Sequence, residues 1–234
     1  MTQPAILLIG GYNSVWPAYL AAARHLEDVS GLRAIGVPLL PWDWWQAERQ
    51  KSAGPLLTKL WDTVLWARRK MGARQFILVA HSAGGLVSRL YLSDQPIEGQ
   101  VYAGAGHVSA LITLGSPHCA ETGPDWYLIR DASRLAPGAP YADRLSYYAI
   151  ASQSVQGDEQ GGLAERRAFR SYRYFSNNGA QLGDGVIPVD AAHLPGAANR
   201  VVDGVVHSRK YGAHWYLGSL SIIRRWWPQD LGHE

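Results

Sequence analysis

Cysteine is nearly absent from the sequence. Cys119 is the only cysteine in 234 residues, so no disulfide can form within the chain and nothing points to an oxidising compartment. The opening residues, MTQPAILLIGG, lack the basic start of a signal peptide, and their apolar run is too short for a membrane span. We therefore expect a cytoplasmic protein with no transmembrane segment.

Charge is also sparse. Charged residues make up 18% of the chain without forming long blocks, and the net charge is only +3. There is no basic stripe and no nucleic-acid motif, so the sequence predicts no nucleic-acid partner. The His and Cys spacings of metal sites and the glycine patterns of nucleotide sites are missing as well, so we expect neither a metal nor a cofactor.

Apolar residues, in contrast, make up 47% of the chain, enough for one sizeable core, and we predict a single domain over residues 1–234. Short apolar runs alternate with stretches of helical periodicity. This pattern predicts an α/β fold with a mainly parallel, six-stranded central sheet flanked by helices. The predicted strands are 5–9, 32–37, 75–80, 110–114, 146–151 and 200–206. The predicted helices are 16–28, 56–71, 84–92, 164–175 and 213–227.

One long connection, residues 119–144, is polar and rich in proline and glycine. Connections of this length without secondary structure tend to be functional. We predict that it forms a small cap or long loop over one end of the sheet, and in open α/β sheets ligands bind outside the carboxyl ends of the strands.

A serine stands at the junction of a predicted strand and a predicted helix, in LVAHSAGG (78–85). A serine needs a base, a group that orients the base and donors for an oxyanion before it can act as a nucleophile. Ser82 is therefore either such a nucleophile on a tight turn or an N-terminal cap of the helix. The usual nucleophile pattern is G-x-S-x-G, and here Ala80 replaces the first glycine.

The AHSAGG segment resembles the A-x-S-x-G variant found in small bacterial lipases of the α/β-hydrolase superfamily. Four more segments resemble that family in the same order: the oxyanion loop, a Gly-Ser-Pro-His segment, an acid-bearing loop and a strand ending in histidine. These segments are ILLIGGYNSVW (6–16), LITLGSPH (111–118), LGDGVIPVDAA (182–192) and VVDGVVHS (201–208). The resemblance covers residue 5 to about residue 220. Lipases, esterases and inositol-deacylase-like enzymes share this set, so it does not define the substrate.

The resemblance implies a catalytic triad of Ser82, an acid and a histidine. Asp184, in a Gly-Asp-Gly turn, is the favoured acid, with Asp190 in reserve; Asp203 is disfavoured because it shares a strand with the histidine that it would orient. The base is either His207, at the end of an apolar strand, or His214, at the start of an apparent helix. His207 is favoured.

The oxyanion hole implied by the resemblance consists of backbone N–H groups. Ala83, the residue after the nucleophile, supplies one, and Tyr12 supplies the other, with Gly11 as the alternative. Gly10 and Gly11 stand where lipases often have His-Gly, so a side chain that braces this loop in those enzymes is missing.

Aromatic residues near the expected site are candidates for substrate contact. Trp42, Trp44 and Trp45 follow the second predicted strand, and Trp126 lies in the 119–144 segment. Each either walls an apolar acyl pocket or packs against the fold. His81 is expected to pack against the site or line it.

The sequence thus predicts a serine esterase or lipase acting on a small-molecule ester or lipid with an apolar acyl chain, through an acyl-enzyme. Transient contact with a lipid surface stays open. A thioesterase, an amidase and an acyltransferase can use the same triad, and a catalytically silent binding module is the alternative outside enzymes.

Overall fold

The computed structural model describes residues 3–119 and 126–231. The strands among them are β1 (Ala5–Ile9), β2 (Ala34–Gly36), β3 (Phe76–His81), β4 (Val108–Leu114), β5 (Ser146–Ser152), β6 (Val155–Gln156), β7 (Leu182–Gly183) and β8 (Ala198–Val202). Six strands form one parallel sheet in the order β2-β1-β3-β4-β5-β8, and β6 pairs antiparallel with β7. The predicted fold class, with its six-stranded parallel sheet, is confirmed.

Helices connect and cover these strands. They are α1 (Leu20–Ser30), α2 (Pro41–Gln50), α3 (Gly54–Met71), α4 (Ala83–Leu92), α5 (Tyr127–Leu135), α6 (Leu163–Phe175), α7 (Val189–Ala192) and α8 (Leu220–Trp226). The predicted helix 56–71 corresponds to α3. Pro55 lies in the first turn of α3, and Gly72 ends the helix at a φ of 68°.

The sheet is covered on both faces, which explains why its strands read as continuous apolar runs. Every residue of β1 is buried. Its Leu7 and Ile9 belong to one core, which includes side chains of α2 to α5, whereas Ile6 and Leu8 belong to a second core with α1 and α8. The period-two alternation of a strand therefore places neighbouring side chains on opposite faces.

The tryptophan-rich segment after β2 is helix α2, which the sequence did not predict. Pro41 occupies the first turn, and the Asp43 carboxylate accepts a hydrogen bond from the Leu40 backbone N–H at 2.9 Å. A helix turns successive side chains through about 100°. Trp42, Trp44 and Trp45 therefore do not share one side.

Of two further predictions, one lies partly outside the described residues and the other needs correction. Within the predicted cap or loop 119–144, residues 120–125 lie outside the described residues, and α5 follows them. The predicted helix 213–227 is too long, because α8 begins only at Leu220, where the Ser219 hydroxyl accepts a hydrogen bond from the backbone N–H of Ile222.

Within residues 3–119 and 126–231, no helix combines the length and the apolar character that a membrane crossing requires.

Candidate active site

Ser82 occupies a sharp turn between β3 and α4. Its backbone has φ 54° and ψ −128°, a conformation that L-residues rarely adopt, and its N–H donates to the Leu114 carbonyl of β4 at 2.9 Å. Ala80, two residues earlier, pairs regularly within β3, and its φ angle is not positive. A methyl group is therefore accommodated where the G-x-S-x-G pattern has its first glycine.

Glycines around the turn allow close backbone contact. A Cβ at Gly84 would lie 2.7 Å from the Gly10 carbonyl oxygen, and one at Gly85 would overlap Ser116. A Cβ at Gly11 would lie 2.9 Å from the Ser82 Cβ. The small residues that follow the serine thus let the start of α4 pack directly on β1 and on the end of β4.

Three predicted residues, separated by up to 125 positions, are joined by hydrogen bonds. The distance from Ser82 Oγ to His207 Nε2 is 3.0 Å, and that from His207 Nδ1 to Asp184 Oδ2 is 2.7 Å. The His207 backbone N–H also donates to the Asp184 carbonyl oxygen at 2.8 Å. Because an ionised carboxylate can only accept a hydrogen bond, His207 Nδ1 must donate to it. The proton of a neutral His207 therefore lies on Nδ1, and Nε2 can accept from the serine hydroxyl.

The Asp184 carboxylate is fully buried and accepts four hydrogen bonds. Its Oδ1 accepts from the backbone N–H groups of Val186 at 2.9 Å and Ile187 at 2.7 Å. Its Oδ2 accepts from His207 and, at 3.2 Å, from the Tyr216 hydroxyl. Burial and the nearby Asp184 charge raise the pKa of Tyr216, so this hydroxyl stays protonated and keeps donating.

The reserve candidates are engaged elsewhere. Asp203 follows β8, and its carboxylate accepts from the Gln153 side chain at 2.8 Å. Asp190 lies in α7 and lines a separate cavity from the one that contains Ser82. His214 precedes α8 rather than starting it, and its carbonyl accepts from the Val206 backbone N–H at 2.9 Å.

His81, one of the residues considered for substrate contact, is buried beneath the site and is not part of the cleft lining. Its Nδ1 lies 3.0 Å from the Tyr19 hydroxyl oxygen, and its Nε2 lies 2.7 Å from the His207 carbonyl oxygen. Burial, reinforced by the adjacent His207, lowers the pKa of His81 to about 3, and the ring is therefore neutral at ordinary pH. The alternative expectation, packing against the site, describes its position.

The loop after β1 distinguishes the two candidates for the second oxyanion donor. The Gly11 N–H donates to the Tyr19 hydroxyl oxygen at 3.2 Å, so this donor is already used. Tyr12 and Ala83, in contrast, line the same cleft as Ser82. Of the two residues considered for this role, the geometry favours Tyr12 over Gly11.

The cleft in front of Ser82 has a volume of about 510 Å³. Its apolar wall is formed by Pro117, Trp126, Phe175, Val186 and Ile187. Tyr12, Tyr174, Glu48 and Lys51 complete the lining. An apolar wall with a few polar groups is typical of a site that binds a small organic molecule.

Of the four tryptophans proposed as substrate contacts, only Trp126 lines the cleft. Trp44 is completely buried and packs edge-on against the Tyr12 ring, with 5.6 Å between ring centroids. Trp42 and Trp45 are 58% and 60% exposed but do not contribute to the lining. Trp42, Trp44 and Trp45 are therefore not part of the cleft lining, and their direct contact with substrate stays a prediction.

Trp126 is held in place by α2. Its indole N–H donates to Glu48 Oε1 at 2.7 Å, and Glu48 Oε2 pairs with Lys51 Nζ at 3.3 Å. The sequence did not single out Glu48 or Lys51, because charged residues near the end of a helix are common on solvated surfaces.

The six-stranded parallel sheet, the strained serine between β3 and α4, and the hydrogen-bonded aspartate and histidine are those of the α/β-hydrolase fold. The chain has this fold. A family model described as "PGAP1-like alpha/beta domain" matches residues 57–131, which is less than half of the chain. A comparison with curated protein sequences gives no match.

Solved structures with the same fold cover nearly the whole chain. Est1E from Butyrivibrio proteoclasticus, with ferulic acid bound, is 14% identical with a TM-score of 0.51, covering 96% of this chain and 86% of its own. Phospholipase PlaB from Legionella pneumophila, in complex with thio-NAD, is 14% identical with a TM-score of 0.57, over 98% of this chain but 60% of its own. The lin2722 gene product of Listeria innocua is 18% identical with a TM-score of 0.52, over 96% and 93%. Similarity at these identities establishes the fold.

Proposed function

We propose that the protein is a serine hydrolase that cleaves carboxylic esters through a covalent acyl-enzyme. The observation that carries this proposal is the continuous hydrogen-bonded chain Ser82–His207–Asp184, which opens into an apolar cleft. A buried, fully hydrogen-bonded aspartate, a histidine of defined tautomer and a strained serine form the arrangement that activates a hydroxyl nucleophile.

In the proposed reaction, His207 Nε2 takes the proton of Ser82 as Ser82 Oγ attacks the ester carbonyl carbon. The backbone N–H groups of Ala83 and Tyr12 donate to the oxyanion that forms on the carbonyl oxygen. The tetrahedral intermediate then collapses, and the alcohol leaves with the proton from His207. A water molecule, deprotonated by His207, attacks the acyl-enzyme and releases the acid and the free serine. Asp184 stabilises the imidazolium in both steps.

The cleft supports an apolar or aromatic acyl group as the substrate's acid part. Pro117, Phe175 and Val186 provide a wall without charges, and Trp126 and Tyr12 add aromatic faces. Two proteins of the same fold act on or hold compatible molecules: Est1E binds ferulic acid, and PlaB is a phospholipase. Both a small aromatic ester and a lipid ester therefore stay within the proposed class.

Thioesters, amides and acyl transfer to an alcohol are the alternatives within enzymes, because the triad itself does not discriminate among them. A catalytically silent binding protein is the alternative outside enzymes. A cytoplasmic location and the absence of nucleic-acid partners, both expected from the sequence, remain part of the proposal.

A series of p-nitrophenyl esters of increasing acyl length, assayed beside acyl-CoA and amide substrates, tests the proposal. We expect ester hydrolysis to exceed amide and thioester hydrolysis, and Ser82→Ala to lose it. Faster turnover of acyl-CoA or amides would transfer the protein to one of the alternative classes. Equal rates for wild type and Ser82→Ala would contradict the proposed nucleophile.

A further inference from the structure

His81 is the side chain next to Ser82 in sequence, and the proposed reaction gives it no role. Its imidazole ring is buried, with only 3% of the residue exposed, and both ring nitrogens have partners. One partner, Tyr19, reaches the loop that carries the oxyanion donor Tyr12, and the other is the backbone of His207, the base. His81 thus stands between two parts of the site that are 195 positions apart in the chain, from Tyr12 to His207.

We propose that Tyr19 and His81 form a positioning brace that holds the oxyanion loop and the catalytic base in register with each other. The proposal deepens the proposed function and rests on it, because it assigns a second layer of residues to the same reaction. Neither side chain touches substrate, so each is a positioning residue rather than a catalytic one.

The direction of every hydrogen bond in the brace follows from one contact. A carbonyl oxygen can only accept, so the 2.7 Å contact with the His207 carbonyl requires a proton on His81 Nε2. In the neutral ring Nδ1 is then an acceptor, and the Tyr19 hydroxyl must donate to it. The Tyr19 oxygen is left to accept from the Gly11 N–H. The resulting series of hydrogen bonds runs from Gly11 through Tyr19 and His81 to His207, and every donor in it has an acceptor.

The two ends of this chain are the places where the reaction demands accurate geometry. The Gly11 N–H belongs to the peptide plane directly before the one that carries the Tyr12 N–H, so holding the first restricts the orientation of the second. The His207 carbonyl belongs to the residue whose imidazole must reach both Ser82 and Asp184. Small displacements of such groups cost a large part of the rate.

The surroundings of His81 keep it in this role. The rings of Tyr19, His207, Trp215 and Tyr216 lie 4.9 to 6.3 Å from its ring centroid. Protonation of His81 would bring a second charge next to His207 whenever His207 becomes an imidazolium, and burial already disfavours it. His81 therefore acts as a fixed, neutral connector and not as a second base.

The chain contains a matched control for the test. Tyr91 and His107 form a second buried Tyr–His pair, with 2.7 Å between the Tyr91 hydroxyl oxygen and His107 Nε2. His107 precedes β4, at the opposite end of the sheet from Ser82. Tyr19→Phe and Tyr91→Phe each remove one buried hydroxyl from a Tyr–His pair, but only Tyr19→Phe breaks the brace.

Titration with a fluorophosphonate counts the reactive active sites, so that kcat can be expressed per active site. This kcat separates an effect on positioning from a loss of folded protein. We expect Tyr19→Phe to lower kcat about tenfold with KM within about twofold, while Tyr91→Phe keeps the wild-type kcat. Both variants are expected to lose similar amounts of thermal stability. An equal kcat per titrated site in Tyr19→Phe and Tyr91→Phe would overturn the brace.

His81 itself is tested by a pair of substitutions. The side-chain amide of His81→Gln can still donate to the His207 carbonyl, whereas His81→Leu cannot. We expect His81→Gln to retain a kcat at least about fivefold above that of His81→Leu. An equal loss of kcat in the two variants would contradict the claim that the brace acts through the hydrogen bond from His81 to the His207 carbonyl.

Histidine ¹⁵N NMR gives a reading that does not depend on turnover. The brace requires a neutral His81 with its proton on Nε2 at neutral pH, and an Nδ1–H tautomer would overturn it. If the wild type neither hydrolyses esters nor reacts with a fluorophosphonate, the proposed function fails, while the tautomer still reports on the brace.

Discussion

At the scale of single residues, Asp184 is a buried carboxylate, and both of its oxygens accept hydrogen bonds. Four donors converge on its two carboxylate oxygens, and two of these are backbone N–H groups that remain whatever side chains surround them. A carboxylate held in this way fixes the tautomer of His207 as well as stabilising its protonated form.

Asp184→Asn should therefore disrupt the reaction far more than the fold. The amide can present its NH₂ group to His207 Nδ1, which favours the wrong tautomer, and we expect kcat to fall by about 10⁴-fold with KM little changed. Asp203→Asn is the control, because its carboxylate binds the exposed Gln153 side chain. Activity in Asp184→Asn close to that of Asp203→Asn would refute the assignment of the acid.

The sequence predicted the three residues of the hydrogen-bonded chain because each stands in a recognisable segment: AHSAGG for Ser82, GDG for Asp184 and VVHS for His207. It gave no indication of Tyr19 or Tyr216. Both tyrosines lie in apolar stretches, where an aromatic residue is expected to pack, and only the folded chain brings their hydroxyl groups to His81 and Asp184. Hydrogen bonds between distant segments leave no local pattern.

At the scale of elements, helix α2 explains why Trp42, Trp44 and Trp45 do not line the cleft together. The residues before α2 are extended and Pro41 lies at its start, so the segment reads as a loop in which neighbouring rings can face one site. In the helix, Trp44 faces the core, whereas Trp42 and Trp45, three positions apart, are both exposed. The strands were predicted better, because burial on both faces leaves an apolar run that needs no periodicity.

The exposed pair on α2 gives a prediction about lipid. If the protein contacts a lipid surface transiently, the double variant Trp42→Ser/Trp45→Ser should sediment less with phosphatidylcholine vesicles and keep wild-type hydrolysis of a soluble ester. Trp66→Ser, which removes a 47% exposed tryptophan from α3, serves as the control. Unchanged sedimentation of the double variant would remove α2 as a lipid-contacting element.

Helix α5 is attached to α4 through a buried cation. The Arg89 guanidinium donates to the carbonyl oxygens of Ala132 at 3.1 Å and Ala136 at 2.7 Å, at the C-terminal end of α5, where a cation also interacts favourably with the helix dipole. We expect Arg89→Met to lower the free energy of unfolding by about 2 kcal/mol in urea denaturation. Arg134→Met, an exposed position of α5, should change it by less than about 0.5 kcal/mol. Equal stabilities of the two variants would contradict this anchoring.

At the scale of the whole molecule, buried neutral histidines make stability depend on pH. Burial lowers the pKa of His81 to about 3 and that of His107 to about 4, and places the pKa of His118 well below 6.5. The unfolded chain binds protons at these positions below about pH 6.5, while the native state does not. The free energy of unfolding that these neutral histidines contribute is therefore fully present above that pH, and it declines as the pH falls.

We expect the urea concentration at the midpoint of unfolding to decrease as the pH is lowered from 7 to 5. Each of these histidines should lower the free energy of unfolding by up to about 1.4 kcal/mol per pH unit. His107→Gln should flatten this dependence, because it removes one of the three groups. His214→Gln, at an exposed position, should leave the slope as it is. A midpoint that is constant from pH 7 to pH 5 in the wild type would contradict the neutral buried state.

The central claim, that Ser82 is a nucleophile activated by His207, is tested most directly by covalent labelling. The wild type is incubated with a fluorophosphonate, intact mass is recorded, and the modified peptide is sequenced. We expect one adduct per chain on Ser82, none in Ser82→Ala and much slower labelling in His207→Gln. An unlabelled wild type, or an adduct on another serine that persists in Ser82→Ala, would contradict it.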